Sequence, residues 1–458
     1  MNQERILFQM LQQQGGRTSF HMPGHQGKSP FAVENSFLFD TTELEGTDTL
    51  YNPVGAIERC EKEIALRANT VGSLLLTGGS TAGILTMLLY AVAPEDKIII
   101  PRGAHQSIFH GCILAGAIPI YVYPEILKDG YSYYTPQAYI KAIEENPDAK
   151  AVFVTRPDYY GQVISLEIIA EKAKEKGQLL LVDEAHGAHF NWWKTIKNAG
   201  ELGADLFVQS AHKTLPVLTQ GGWLHYQQAI DPKLLRQKLQ VVQTSSPSFL
   251  LMKSLDDGRV WMDHYGEKAL AKLTEYVKTF FMQLKGTGYK NAFDFWQKKD
   301  LVFDPTRMVI TAPEGGFALA KTLEQQGIDV EMADDHTVVC IPSVMTQRKA
   351  FHQLAEVLVN HAETKSRENP IAKKGLYQYE KQLEAKLSLR EAFFAPKEWI
   401  PLEKAEGRIS GVAAGLYPPG MPWILPGEII TQTMAMQLLQ LEPERTFGVT
   451  NQGVYCIK

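Results

Sequence analysis

Cysteine is scarce in this 458-residue chain: Cys60, Cys112, Cys340 and Cys456 are all there is, with no C-x-x-C pair among them. That scatter excludes a disulfide framework, gives no zinc motif and fits a reducing compartment. Long apolar runs are missing too, none approaching the roughly 18 residues that a membrane-crossing helix needs. The opening "MNQERILFQMLQQQGG" puts charges and glutamines where a secretory signal has unbroken apolar sequence, so the expected location is the cytoplasm, away from any membrane. Excess positive charge is absent: a net charge of -5 offers no global attraction to nucleic acid or anionic lipid, which leaves a small molecule as the expected partner. Internal repeats and low-complexity segments are lacking as well, which excludes solenoids and disordered linkers.

What is present is an ordinary globular composition, 45% hydrophobic and 21% charged, enough for a large core. The runs "SLLLTG" (73–78), "KIIIP" (97–101), "IPIYVYP" (118–124), "AKAVFVT" (149–155), "QLLLVDEAH" (178–186), "ADLFVQS" (204–210) and "GGWLHY" (221–226) are almost continuously apolar. Strands of that kind are covered on both faces. Helical segments such as "SLEIIAEKAKEKG" (165–177), with Gly177 as a stop signal, lie between them. This alternation predicts an α/β fold with a mostly parallel sheet and right-handed crossovers. Beyond about residue 230 the pattern changes to long charged helices. A smaller α+β region follows around "RMVITAP" (307–313) and "HTVVCIP" (336–342), then a Lys/Glu-rich run (377–389) and a Pro/Gly-rich stretch (415–428). The expected division is an N-terminal segment to residue 50, a large domain over 51–270, a small α+β domain over 271–370 and a C-terminal domain over 371–458.

Open α/β sheets bind ligands beyond the carboxyl ends of their strands, so polar residues there define the candidate site. "GGSTAG" (78–83) begins a helix, where free backbone N–H groups and the helix dipole cradle an anion, with Ser80 and Thr81 as ligands or as simple N-caps. It is not a nucleoside-triphosphate loop: the loop has no lysine, and "GKS" (27–29) is preceded by Met22 where that motif requires glycine. Without such a loop, "DEAH" (183–186) has no phosphate chain to serve. His105 follows "KIIIP" and can cap the next helix or lie on a flat ring. Asp183 ends an apolar strand, where a carboxylate needs a positive partner. Lys213, in "QSAHKTL" (209–215), comes thirty residues later, beside His212.

One ligand answers all four strand ends: a phosphate for the Gly-Ser-Thr loop, a flat ring for His105, a basic ring nitrogen for Asp183 and an aldehyde for Lys213. Pyridoxal 5'-phosphate carries those groups. A buried aspartate keeps the pyridine nitrogen protonated, and a desolvated lysine forms the Schiff base.

The blocks "HMPGH" (21–25), "LLTGGSTAG" (75–83), "PRGAHQS" (101–107), "VDEAHGAHF" (182–190), "QSAHKTL" (209–215), "QTSSPS" (243–248) and "YPPGMPWILPGE" (417–428) resemble the signature blocks of the Orn/Lys/Arg decarboxylases. These are bacterial pyridoxal-phosphate enzymes of the aspartate-aminotransferase fold type, fold type I. The resemblance implies that Lys213 carries the cofactor, Asp183 pairs with its ring nitrogen, His105 stacks on one ring face and Ala185 packs on the other. Ser80, Thr81 and Ser210 match phosphate ligands, and His212 matches the histidine beside the cofactor lysine. His186 stands within the cofactor pocket where the large inducible members carry an aromatic residue.

The implied reaction is decarboxylation of lysine, ornithine or arginine to a polyamine precursor, with Lys213 or His212 as the acid at Cα. Relative to the large members the sequence starts directly at the "HMPGH" block, without their wing domain, which implies a homodimer or other homo-oligomer with the site at the interface. "QTSSPS" either lends a hydroxyl to the partner's phosphate or simply starts a helix. Asp40, Glu43, Glu45, Asp48 and Glu428 are the candidate carboxylates for the substrate's distal cation. His21 and His25 have the spacing of a helical metal pair, but Pro23 and Gly24 between them read as a turn near the site. The rival functions are another fold type I reaction, transamination or carbon–carbon lysis, with Arg307 or Arg408 clamping a carboxylate, and a non-catalytic cofactor-binding relative.

Overall fold

A computed structural model describes residues 17–29, 36–44, 46–127, 131–296, 301–364, 383–416, 421–441 and 445–458. The centre is a seven-stranded sheet built from β1 (Gly72–Leu76), β2 (Lys97–Pro101), β3 (Ile118–Val122), β4 (Ala151–Thr155), β5 (Leu179–Asp183), β6 (Leu206–Gln209) and β7 (Gly222–Tyr226). Their spatial order is β1-β7-β6-β5-β4-β2-β3. Alternate residues point to opposite faces, and both faces are covered. Ile98, Ile100, Phe153 and Leu181 lie in one core, whereas Ile99, Val152, Val154, Leu180 and Val182 lie in the other. Two buried layers explain why these strands show no polar alternation. Each such Ile, Leu or Phe contributes about 1.5–3 kcal/mol by leaving water.

The sheet departs from all-parallel order at β7, which runs antiparallel to both β1 and β6. Too few residues separate the Lys213 turn from Gly222 for a helical crossover, so the chain comes back alongside β6 in the opposite sense.

The strand ends feed helices. α1 (Gly79–Ala91) follows β1, α2 (Gln106–Ala115) follows β2, and α3 (Glu167–Glu175) precedes β5. Gly177, at φ +68°, ends the α3 segment in the left-handed region that glycine favours. The 35-residue α4 (Phe249–Gln283) crosses residue 270 without a break. Its first part, through Leu270, packs with the Lys213 side of the large domain, and from Leu273 onward it packs in the small-domain core. That core surrounds an antiparallel sheet containing β8 (Met308–Thr311) and β9 (Thr337–Cys340). Thr18–Phe20 pairs in parallel with Ile328–Val330, so this part of the N-terminal segment belongs to the small domain's structure. The C-terminal strands Lys397–Pro401 and Gly453–Ile457 pair antiparallel. Buried Arg102, just past β2, ties this region to the large domain through the Pro422 and Trp423 carbonyls and the Glu428 carboxylate, 2.9 Å away. Among the described residues no helix is long and apolar enough to cross a membrane.

Candidate active site

A cavity of about 1200 Å³ opens at the carboxyl ends of the parallel strands. Ser80, Thr81, His105, Asp183, Ala185, His186, Ser210, His212 and Lys213 all line it, although β1 and β6 supply residues 130 positions apart. At the start of α1 no side chain caps the helix, so neither Ser80 nor Thr81 plays the capping part. The Ser80 and Ser210 hydroxyls lie 2.8 Å apart, beside the positive end of that helix. Gln243, from the "QTSSPS" block, holds the loop by accepting from the Thr77 and Gly78 N–H groups at 2.9 and 3.1 Å. Ser248 of the same block caps α4.

Asp183 is 4% exposed and accepts from the Ala185 N–H at 3.0 Å. Burial pushes its carboxyl up, and the facing Lys213 ammonium pulls it back down. Its register partner on β4, Thr155, has a buried hydroxyl with no partner among the described residues. His105 caps α2: its Nδ1 accepts from the Ser107 N–H at 3.3 Å and lies 2.8 Å from the Ser107 hydroxyl. The capping reading describes it, and His105 also lines the cavity. Burial lowers its pKa to about 4, with Lys213 assisting, so it is neutral at pH 7.

Lys213 sits in the single turn Ala211–Thr214 after β6. Burial lowers the pKa of its ammonium, opposed by Asp183 and Glu331 and assisted by Arg307. His212 is pushed down to about 4, chiefly by burial. Its Nδ1 donates to the Gly221 carbonyl at 2.9 Å, which leaves Nε2 as an acceptor.

The "HMPGH" block is the turn the sequence indicates, and it braces the Lys213 loop. The Gly24 N–H donates to the His212 carbonyl at 2.7 Å, while the Met22 N–H donates to Glu331 of the small domain. A Cβ on Gly24 would come within 2.8 Å of backbone atoms of Thr214 and Leu215. Gly24→Ala is therefore expected to destabilise the protein by about 1–3 kcal/mol, the cost of overpacking, and to weaken cofactor retention as the lysine turn shifts. Thermal unfolding and cofactor content after gel filtration measure both.

The carboxylates expected to meet a distal cation are placed elsewhere. Asp48 accepts from the Thr49, Val54, Gly55 and Ile57 N–H groups, Glu428 is the ion-pair partner of Arg102, and Asp40 and Glu43 lie outside the cavity. Glu45 and the "YPPG" residues lie outside the described residues. Instead, the cavity lining also includes Asp158 with Tyr159, Tyr160, Tyr131 and Trp296. Asp158 accepts from the Gln162 N–H at 2.7 Å and the Tyr131 hydroxyl at 3.1 Å, and burial pushes it up to about 6. Sequence reading missed it because "RPDYYG" (156–161) looks like an ordinary turn. Arg408 pairs with Glu398 in the C-terminal region, whereas Arg307 reaches His186.

These residues fit pyridoxal phosphate. An uncapped helix start beside two serine hydroxyls suits a phosphate, an unpartnered Thr155 hydroxyl stands beside Asp183 at the cavity wall, and a desolvated lysine faces the acid. The fold is that of the fold type I pyridoxal-phosphate enzymes. The solved lysine decarboxylase A from Pseudomonas aeruginosa superposes with a TM-score of 0.78 over 93% of this chain and 75% of that one, at 17% identity. L-threonine transaldolase from Pseudomonas fluorescens superposes at 0.61 over 79% of this chain and 86% of its own, at 14% identity.

The family follows from sequence. The Orn/Lys/Arg decarboxylase major-domain model matches residues 5–301, and the C-terminal-domain model of that family matches 377–447. Arginine decarboxylase from Bacillus subtilis is 31% identical over 94% of this chain and 92% of its own length. The uncharacterized protein YaaO from the same organism is 32% identical over 98% and 96%. The chain belongs to the Orn/Lys/Arg decarboxylase family, and is an amino-acid decarboxylase that uses pyridoxal 5'-phosphate.

Proposed function

We propose that the protein decarboxylates a basic amino acid, with arginine favoured over lysine and ornithine, to the corresponding amine and CO₂. Arginine is put first because relatives about 30% identical over nearly the full length are arginine decarboxylases. The observation that carries the reading is one cavity lined by Asp183, Lys213 and, among tyrosines and Trp296, Asp158. When bound, the cofactor supplies an aldehyde for the substrate amine and a protonated ring that accepts the electrons released with CO₂.

In this reading Lys213 would hold the cofactor through its side-chain amine. The Asp183 carboxylate, which accepts from the Ala185 N–H, would preserve the proton on the ring nitrogen by its opposite charge. His105 and Ala185 would pack against the cofactor ring. Ser80, Thr81, Ser210 and the first N–H groups of α1 would hold its phosphate, with His212 and His186 beside Lys213. The tyrosines and Trp296 exclude water and line a slot for an alkyl chain. Lys213, carrying a proton received from the substrate's own ammonium, would return it to Cα.

Incubation with arginine, lysine and ornithine tests the assignment. Release of CO₂ with agmatine is expected to dominate; keto acid without CO₂ would point to transamination.

Asp158 is the proposed partner of the distal cation. Asp158→Asn is expected to raise KM for the preferred substrate about ten- to a hundred-fold with a smaller change in kcat, given about 1.5–3 kcal/mol for a charged hydrogen bond. The pH dependence has a definite sign. An acid titrating at about 6 loses its charge as the pH falls, so KM of the natural enzyme rises below pH 6. That rise is absent in Asp158→Asn, and an unchanged profile in the variant removes Asp158 from this role.

A further inference from the structure

Three side chains from separate parts of the chain meet in a line. Arg307 precedes β8, His186 follows β5 and Lys213 follows β6. Arg307 Nη2 is 3.3 Å from His186 Nδ1, and His186 Nε2 is 3.0 Å from Lys213 Nζ. A guanidinium only donates and stays protonated in proteins, so Nη2–H takes the lone pair on His186 Nδ1. A neutral imidazole has a single N–H, which must then sit on Nε2. An Nε2–H facing Nζ needs a lone pair to accept it. An amine has one and an ammonium has none.

We propose that Arg307 is a positioning residue: it fixes His186 in the Nε2–H tautomer and thereby holds Lys213, in the chain free of both cofactor and substrate, as an unprotonated amine. The use of that amine rests on the reading of Lys213 as the cofactor lysine; the tautomer does not.

The surroundings are built for this. Arg307 is 2% exposed, and its Nε and Nη1 have no partner among the described residues, so the directed contact it makes there is to His186. Gly161 permits the approach, since a Cβ there would lie 2.9 Å from the Arg307 Cβ. The charge is balanced by Asp304, Glu331 and Asp158. Asp304 is held ionised, at about 2, chiefly by His189 and Arg307 working against its burial. The Tyr159 ring packs on the other side of His186, with centroids 4.8 Å apart. Burial, with the permanent Arg307 charge assisting, keeps His186 neutral. The charged groups facing Lys213 are Asp183 and Glu331, which favour the ammonium, and Arg307, which opposes it; His105 and His212 are neutral near pH 7.

The tautomer is read directly by ¹⁵N NMR of the full chain, stripped of cofactor and labelled in its histidine rings, with His186 assigned from its loss in His186→Phe. A proton on Nε2 is expected, and a proton on Nδ1 overturns the proposal. This measurement needs no Arg307 variant, so it decides even where such a variant does not fold.

The consequence is read by the pH dependence of the rate at which the stripped chain captures added pyridoxal phosphate, followed by visible absorbance, since the unprotonated amine is what reacts. The midpoint is expected to rise by about one pH unit or more in Arg307→Met, as for removal of a nearby charge and its hydrogen bond. It is expected to rise likewise in His186→Phe and no further in the double variant, with Arg307→Lys restoring part of the shift. An effect of Arg307 through charge alone would leave the His186→Phe midpoint unchanged and the double variant additive; that outcome sinks the proposal. If Lys213→Ala captures the cofactor with the natural midpoint, the fault lies in the lysine assignment, and the NMR result still decides the tautomer.

Discussion

Lys213→Ala is expected to lose the visible absorbance of the cofactor-loaded protein and to cut decarboxylation by on the order of 10⁴-fold or more, since general acid–base help alone accounts for about 10²–10⁴. The magnitude is large because one nitrogen has two tasks, cofactor attachment and proton return to Cα. Its placement is specific. The amine lies in a buried turn between β6 and β7, facing the carboxylate of Asp183 and 3.0 Å from His186. The same cavity is lined by Lys290, whose ammonium lies over the Phe295 ring, 5.4 Å from its centroid. A variant at 213 that kept its colour and its CO₂ release would transfer the role to that lysine, and Lys290→Ala would then be the colourless one. Borohydride reduction followed by peptide mapping reads the modified lysine directly.

Asp183→Asn is expected to cost about 10–10³-fold in kcat with little change in cofactor content, because an opposite charge next to a titrating group shifts its pKa by 1–3 units. The amide has the shape of the carboxylate and can still be reached by the Ala185 N–H, so the fold tolerates it. What it lacks is the negative charge that keeps a ring nitrogen protonated. The expected signature is a decarboxylation rate that recovers as the pH is lowered, because solvent protons then do what the carboxylate did. A rate that stays flat from neutral to acidic pH would falsify this role. Asp183→Glu, which keeps the charge and moves it by one methylene, is expected to fall between the two.

The legible part of the site is the part carried by local sequence. Each of Ser80, His105, Asp183, Ser210 and Lys213 closes an apolar strand or lies within four residues of its end, and in an open α/β sheet that position points to the ligand crevice. The run itself identifies the strand, so the residue beyond it is placed by counting. Asp158 also follows a strand, β4, and was passed over because it sits in a turn-rich segment where an aspartate ordinarily caps its own backbone; it does accept the Gln162 N–H, and it faces the cavity as well. Asp48 and Glu428 show the converse. Asp48 lies in an acidic stretch and Glu428 in a signature block, and each is consumed by structure, one by four backbone N–H groups and the other by Arg102.

By itself the sequence determined the layered α/β architecture, the seven apolar strands and the residue types at their ends, because two-sided burial and helix punctuation are properties of neighbours along the chain. Only the tertiary structure decided the reversal of β7, the seating of the "HMPGH" turn against the Lys213 loop, the acidic and aromatic cavity lining, and the Arg307–His186–Lys213 line. Arg307 and His186 are 121 positions apart and adjoin strands of different sheets. Nothing in local periodicity encodes which of two distant side chains donates a proton to the other; that follows from packing, which brings a permanent donor against a ring that has a single proton to place.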